Sequence, residues 1–343
     1  MGQVNHLTRL SFQFFKEDKW KNKEIEILKK VIRLDKLKIV VNEKYITNIN
    51  EDVFTTIIKN GQIVEYRYEQ QYPYLLYIEK DLIEHELVIE FIGKILQDQY
   101  PLLISKDTIH QCLDNINILG ICYIDVSNII TAAQVVKADV TQDICCGDYE
   151  QLIGSLRTSI KNHNKYLSRI VNGTFVIEKN VAAKNYKVRM TIYNKANEMR
   201  RKTNQDYLFL LPNTEEVVEY FADKVRFELN LNSKEQIRKQ LNLNNTMLYD
   251  VLHSDINPIV NFMDKVFEDA PTTQCFRLRD LERLALLEKV GMDMNKLEII
   301  VRQHSSPKSH ISQLMLPYRN LLKTIEYQNS NYLQTIRNLL LEK

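Results

Sequence analysis

Glycine and proline are scarce, eight and seven in 343 residues. Such a chain offers few places for a flexible linker, and with abundant Lys, Asn and Ile it reads as ordered and compact. Long apolar runs are missing as well: nothing approaches the roughly 18 uninterrupted apolar residues of a membrane-spanning helix, so no membrane partner is expected. The five cysteines, at 112, 122, 145, 146 and 275, form no C-x-x-C pair. Their odd number, in a long chain without a signal peptide, points to a reducing compartment, the cytoplasm by default. The opening Met1-Gly2-Gln3-Val4-Asn5-His6 lacks the Ser or Thr that an N-myristoylation pattern requires after its glycine. An excess of one charge is absent too. With 46 Lys and Arg against 44 Asp and Glu, overall charge neither demands nor excludes a nucleic-acid partner.

Local charge is less even. From Arg157 to Lys202 there are twelve basic residues and two acidic ones, Glu178 and Glu198. The length predicts two or three cores. A charged extension with a helix near 23–32 comes first. Short strands are then expected over 37–41, 53–58, 63–68, 75–78 and 87–91, with Asn60-Gly61 as a hairpin turn. A helix from Ser105 to the stop at Gly120 follows. Residues 149–160 read as a crossover helix, Asn172-Gly173 as a turn and 174–178 as a strand. Beyond Ser233 the periodicity is helical, over 233–241, 246–253, 259–267, 278–290, 294–303 and 307–341. The pair joined through Gly291 has helix-turn-helix proportions, although a plain helical hairpin fits the spacing better. The expected division is an N-terminal β-rich lobe with its extension (1–130), a central region (131–243) and a helical C-terminal domain (244–343).

Three stretches with a period of two carry the chemistry. In the first, Val135, Lys137, Asp139, Thr141 and Asp143 fall on one side and Val136, Ala138, Val140 and Ile144 on the other. In the second, Lys187, Arg189, Thr191, Tyr193 and Lys195 oppose Val188, Met190 and Ile192, and a helix from Asn194 would carry Arg200, Arg201 and Lys202 at its far end. In the third, Lys224, Arg226, Glu228 and Asn230 oppose Val225, Phe227, Leu229 and Leu231. Any antiparallel sheet with one solvated face shows such alternation. If the three strands are neighbours, however, carboxylates from two of them can hold a hard divalent ion, Mg2+ or Mn2+, through oxygen. A tyrosine beside it can attack phosphorus, and Lys195, with Arg226, can stabilise the charge that develops.

These stretches, as Val136-Lys-Ala-Asp-Val-Thr-Gln-Asp143, Met190-Thr-Ile-Tyr-Asn-Lys-Ala-Asn-Glu198 and Val225-Arg-Phe-Glu-Leu-Asn230, resemble in order and spacing the motifs of rolling-circle replication initiators of the filamentous-phage gene II type. That group is similar to the staphylococcal-type plasmid initiators. The earlier Leu87-Val-Ile-Glu-Phe-Ile-Gly-Lys-Ile-Leu96 resembles a segment upstream of the first motif, so the likeness spans about residues 87 to 241. It implies an α+β fold with an antiparallel sheet of HUH-endonuclease/Rep type and helices on one face, followed by an all-helical C-terminal domain. It also implies a nickase that cuts one strand at a double-strand origin, stays joined to the 5′ phosphate through tyrosine and leaves a 3′ hydroxyl as primer.

Carried over by position, the resemblance implies Tyr193 as nucleophile, Lys195 as its cationic neighbour, and Asp139 and Glu228 as metal carboxylates. Glu90, Asp143, Thr141 and Arg226 are secondary candidates for metal or support. Arg189, Arg200, Arg201 and Lys202 are candidates for holding DNA that is single-stranded or locally melted. Host helicase and polymerase are the further partners implied, and a homodimer is compatible with the sequence. The His-x-His motif of typical HUH endonucleases is absent from the seven scattered histidines; the resembled subgroups replace it with acidic groups. A conjugative relaxase would use the same chemistry. A non-catalytic DNA-binding protein would use only the basic window and would show a steep salt dependence.

Overall fold

The structure, a computed structural model, describes residues 32–183, 187–268, 277–291, 293–306, 309–329 and 332–341. The helix expected near 23–32 lies outside them except for its last residue. The fold is α+β, built on one antiparallel sheet of ten strands in the order β3-β4-β5-β6-β1-β8-β12-β11-β10-β9. Its strands are β1 (Leu34–Asn42), β3 (Thr55–Lys59), β4 (Gln62–Gln70), β5 (Leu76–Asp81), β6 (Glu86–Ile92), β8 (Gln134–Cys145), β9 (Tyr166–Val171), β10 (Thr174–Lys179), β11 (Arg189–Asn194) and β12 (Lys224–Leu231). Two short strands, β2 (Ile46–Thr47) and β7 (Tyr123–Ile124), pair separately.

Two hairpins use the turn chemistry their sequence offers. Asn60-Gly61 and Asn172-Gly173 both adopt positive φ at both positions, the twist that a two-residue antiparallel connection requires. The second hairpin joins β10 to β9, a strand with only its first residue buried. With five exposed positions, β9 gives no two-period apolar signal in the sequence.

The apolar sides of the central strands bury Leu37, Ile39, Ile89, Phe91, Val140, Phe227, Leu229, Met190, Ile192 and Phe175 almost completely. Helices Ile109–Ile118, Tyr149–Thr158, Lys234–Leu241, Leu248–Leu252, Pro258–Val266 and Tyr332–Leu341 contribute to the same core. At about 25 cal/mol per Å² of apolar surface, this layer is the main source of stability. Part of the opposite, polar side is roofed by the turn-rich segment Gly93–Leu102 and by the short helices Lys195–Met199, Gln205–Leu210 and Thr214–Tyr220.

Two expectations about organisation change. β1 pairs with β8 over most of its length, so the boundary drawn at residue 130 falls inside one continuous sheet rather than between lobes. After β12 the described elements are helices, as expected of 244–343, but they divide between two cores. Pro258–Val266 and Tyr332–Leu341 pack into the main core. Helices Leu278–Lys289, Met294–His304 and Ile311–Asn329 form a second, small core around Leu287, Leu297 and Met315.

The β1–β8 ladder also carries two register shifts, between Leu34 and Lys36 and between Lys38 and Ile39. The second inserts Val136 as an extra residue, because Lys38 pairs with Lys137 and Ile39 with Val135. Val135 thereby moves to the buried side, correcting its placement beside Asp139. The first shift leaves Asp35 unpaired in the ladder, and a bulge of this kind can re-aim a side chain.

Candidate active site

Strands β8, β12 and β11 are adjacent, and their register sets the polar residues in three rows. Asp143, Arg226 and Tyr193 form one; Thr141, Glu228 and Thr191 the next; Asp139, Asn230 and Arg189 the third. Alternation placed these side chains on one face in the sequence, and the pairing now makes them neighbours.

The Tyr193 hydroxyl donates to Glu228 Oε2 at 3.0 Å. Glu228 Oε1 faces the Asn230 amide nitrogen at 3.4 Å, and the same nitrogen donates to Asp139 Oδ1 at 2.8 Å. Arg189 Nε closes the chain by donating to the Asn230 carbonyl at 3.0 Å. Burial pushes the Tyr193 phenol well above its ordinary range, and the Glu228 charge pushes it further. Glu228 itself is pushed up to about 8, by burial and then by the neighbouring charges of Asp139 and Asp35. Asp139 is raised chiefly by burial. Two carboxyl groups side by side, both reluctant to ionise, form a site where a cation would be needed for both to be charged at once.

Arg226 takes no part in that site as a free cation. Its guanidinium is fully buried, donates to both oxygens of Asp143 at 2.7 Å, and reaches Asp35 Oδ1 and the Tyr100 hydroxyl at 2.8 and 2.7 Å. Asp143 is therefore occupied by a bidentate partner. Thr141 is buried and turns its hydroxyl to the Asp139 carbonyl at 3.1 Å. Glu90 sits on β6, two strands from Asp139 across β1, where Lys36 and Lys38 bind it at 2.6 and 3.3 Å. Burial pushes Glu90 up, but the two lysines more than offset it and hold the carboxyl below its usual range.

Lys195 is not on the strand. β11 ends at Asn194, whose side chain caps the five-residue helix Lys195–Met199 by accepting from Asn197 N. As the first residue of that helix, Lys195 turns inward to 1% exposure, and its Nζ donates to Glu198 at 2.5 Å and to the Tyr100 hydroxyl at 2.8 Å. It stays beside Tyr193, 5.8 Å from the ring centroid. Burial pushes Glu198 up, yet Lys195 and Lys94 bring it down to about 2. The expected longer helix stops at Met199, so Arg200, Arg201 and Lys202 follow it rather than ride on it. They are exposed, as is Arg189, and Arg201 donates to the Asn172 carbonyl at 3.1 Å.

Three members of the site carry no sequence signal of their role. Asn230 shares the polar face by alternation, which does not say what it meets. Asp35 precedes the expected start of its strand and owes its position to the bulge. Tyr100 lies in a segment with no periodicity; Gly93 makes room for it, since a Cβ there would come within 3.2 Å of Tyr100 Cε2.

Among the described residues no group of three or more His, Cys, Asp or Glu side chains could hold a metal ion. The residues present still suit one by another route. Mg2+ is commonly held by one or two carboxylates, with water and substrate phosphate completing its shell, and the paired, raised Asp139 and Glu228 are oxygen donors of that type. No protein-family model, curated protein or solved structure matches this chain.

Proposed function

We propose that this chain cuts and rejoins one strand of DNA through Tyr193, as an initiator of rolling-circle replication with a nicking domain of the HUH-endonuclease/Rep type. The observation that carries this reading is the 3.0 Å contact between the Tyr193 hydroxyl and Glu228. A phenol whose pKa is raised is a poor nucleophile until a base takes its proton. Glu228 is the carboxylate placed to take that proton, because its Oε2 already accepts from the hydroxyl.

In the proposed reaction Glu228 Oε2 accepts the phenolic proton as Tyr193 Oη bonds to phosphorus. The bond from phosphorus to O3′ breaks, and O3′ takes a proton from solvent. The products are a 5′-phosphotyrosine and a free 3′ hydroxyl, and the reverse sequence joins the strand. Asp139 and Glu228 would hold Mg2+ or Mn2+, which supplies Lewis-acid polarisation of the scissile phosphate when bound. Exposed Arg189, Arg200, Arg201 and Lys202 give the flanking strand a cationic path, while buried Arg226 and Lys195 brace the wall behind Tyr193. A relaxase that starts conjugative transfer would run the same steps at a different DNA site.

A second reading, binding without cleavage, is favoured by the raised pKa of Tyr193 together with the exposed Arg189, Arg200, Arg201 and Lys202. The experiment that separates them is incubation with labelled single-stranded fragments of the chain's own replicon plus Mg2+ or Mn2+. An adduct that survives denaturation and maps to Tyr193 supports nicking; salt-sensitive binding without an adduct supports the second reading.

A further inference from the structure

Asn230 is 6% exposed and lies at the centre of a five-residue chain of hydrogen bonds. Arg189 Nε, a donor with no acceptor capacity, fixes which end of the amide is oxygen. The amide nitrogen must then face the carboxylates, where it meets Asp139 Oδ1 at 2.8 Å and, more loosely, Glu228 Oε1 at 3.4 Å. With Oε1 so engaged, Oε2 is the oxygen that meets the Tyr193 hydroxyl. Register reinforces this, because Asn230 stands directly between Asp139 and Arg189 across three strands.

Resting on the nicking function proposed above, we infer that Asn230 is a positioning residue for that reaction. It touches neither substrate nor the reacting phosphorus. Its amide clamps the two carboxylates at a fixed spacing and leaves one Glu228 oxygen aimed at the nucleophile. Arg189 sets the polarity of the clamp from the exposed end, so a side chain that holds DNA also holds the orientation of the base. Partners that orient ligating carboxylates typically change metal affinity by about 10- to 100-fold when removed. Deleting the clamp should therefore act on turnover and metal affinity, not on DNA affinity.

The test compares wild type, Asn230→Leu and Asn230→Asp in the full chain. Leu keeps the volume and removes both hydrogen-bonding functions; Asp keeps the acceptor for Arg189, removes the donors and sets a further carboxyl group against Asp139 and Glu228. Single-turnover nicking at saturating Mn2+, DNA binding by fluorescence anisotropy, and Mn2+ binding by electron paramagnetic resonance without DNA are measured on each. The expected result for Leu is a nicking rate lower by about tenfold or more, DNA affinity within about twofold of wild type, and Mn2+ affinity weaker by about tenfold. Asp, which also serves if the Leu variant does not fold, should show the same loss of rate at unchanged DNA affinity. Wild-type rates in whichever variants fold would overturn the inference while the nicking function stands, and so would parallel losses of rate and DNA affinity. A wild-type chain that forms no adduct would overturn the nicking function, and this inference with it.

Discussion

Tyr193 stands directly opposite Arg226 in the β11–β12 register, yet its hydroxyl reaches diagonally to Glu228 at 3.0 Å. The direct partner is unavailable because Arg226 is drawn to Asp143, Asp35 and Tyr100. Two neighbouring strands thus carry two separate polar systems. One is a buried, charge-compensated network that fixes structure, and the other is a carboxylate pair with raised pKa values beside a tyrosine.

Tyr193→Phe removes the hydroxyl and keeps the ring's packing. DNA affinity is expected within about twofold of wild type, with no covalent adduct, because the attacking oxygen is gone. Denaturing gels after incubation with labelled DNA and Mn2+ check this; a full-yield adduct in the variant would move the nucleophile to another tyrosine.

Glu228 gives the metal-free protein a distinctive pH dependence. Its folded-state pKa is pushed from 4.5 to about 8, so over that window the folded chain keeps a proton that the unfolded chain has lost. The stability this group contributes is present below about 4.5 and declines as pH rises toward 8. Glu228→Gln cannot ionise, and should gain on wild type across the window by several kcal/mol. Urea denaturation of both proteins in chelator from pH 5 to 8.5 measures the difference; a constant difference contradicts the raised pKa.

Breaking the buried network should be costly in a specific pattern. Arg226→Met strands Asp143 and Asp35 without their cation, a loss of about 3–5 kcal/mol for a pair of this type. Adding Asp143→Leu to the same variant removes one of the two uncompensated charges and should restore part of that loss. Thermal unfolding of the single and double variants decides it, and simple additivity of the two losses would argue against the network.

Lys195→Met is expected to act on stability before chemistry, because Nζ is held by Glu198 and Tyr100 rather than facing the open side. Burial raises Glu198, but Lys195 and Lys94 hold it near 2 against an ordinary 4.5. Its stabilisation is thus full above about 4.5 and fades as pH falls toward 2. The variant should be less stable by about 2–3 kcal/mol at pH 7, with a deficit that narrows through the acid range. A fall in nicking of about 100-fold at unchanged stability would instead make Lys195 a transition-state cation.

Alternation by itself determined much of this protein. A period of two requires Asp139, Tyr193 and Glu228 to share a face with their polar neighbours once Val140, Ile192 and Phe227 are buried, and Asn-Gly pairs at 60 and 172 close hairpins through their backbone preferences. Tertiary structure decided what those residues meet. Strand order and register put Glu228 in diagonal reach of Tyr193, the bulge at Asp35 brought in a carboxylate, and the end of β11 at Asn194 turned Lys195 from the sheet surface into the interior. Segment Gly93–Leu102 delivered Tyr100 without periodicity to announce it. Hydrophobic periodicity records which side of an element meets water and nothing about which strand lies beside it. The pairing of acids with cations, which separates a buried brace from a reactive carboxylate, depends on contacts between residues far apart in the chain.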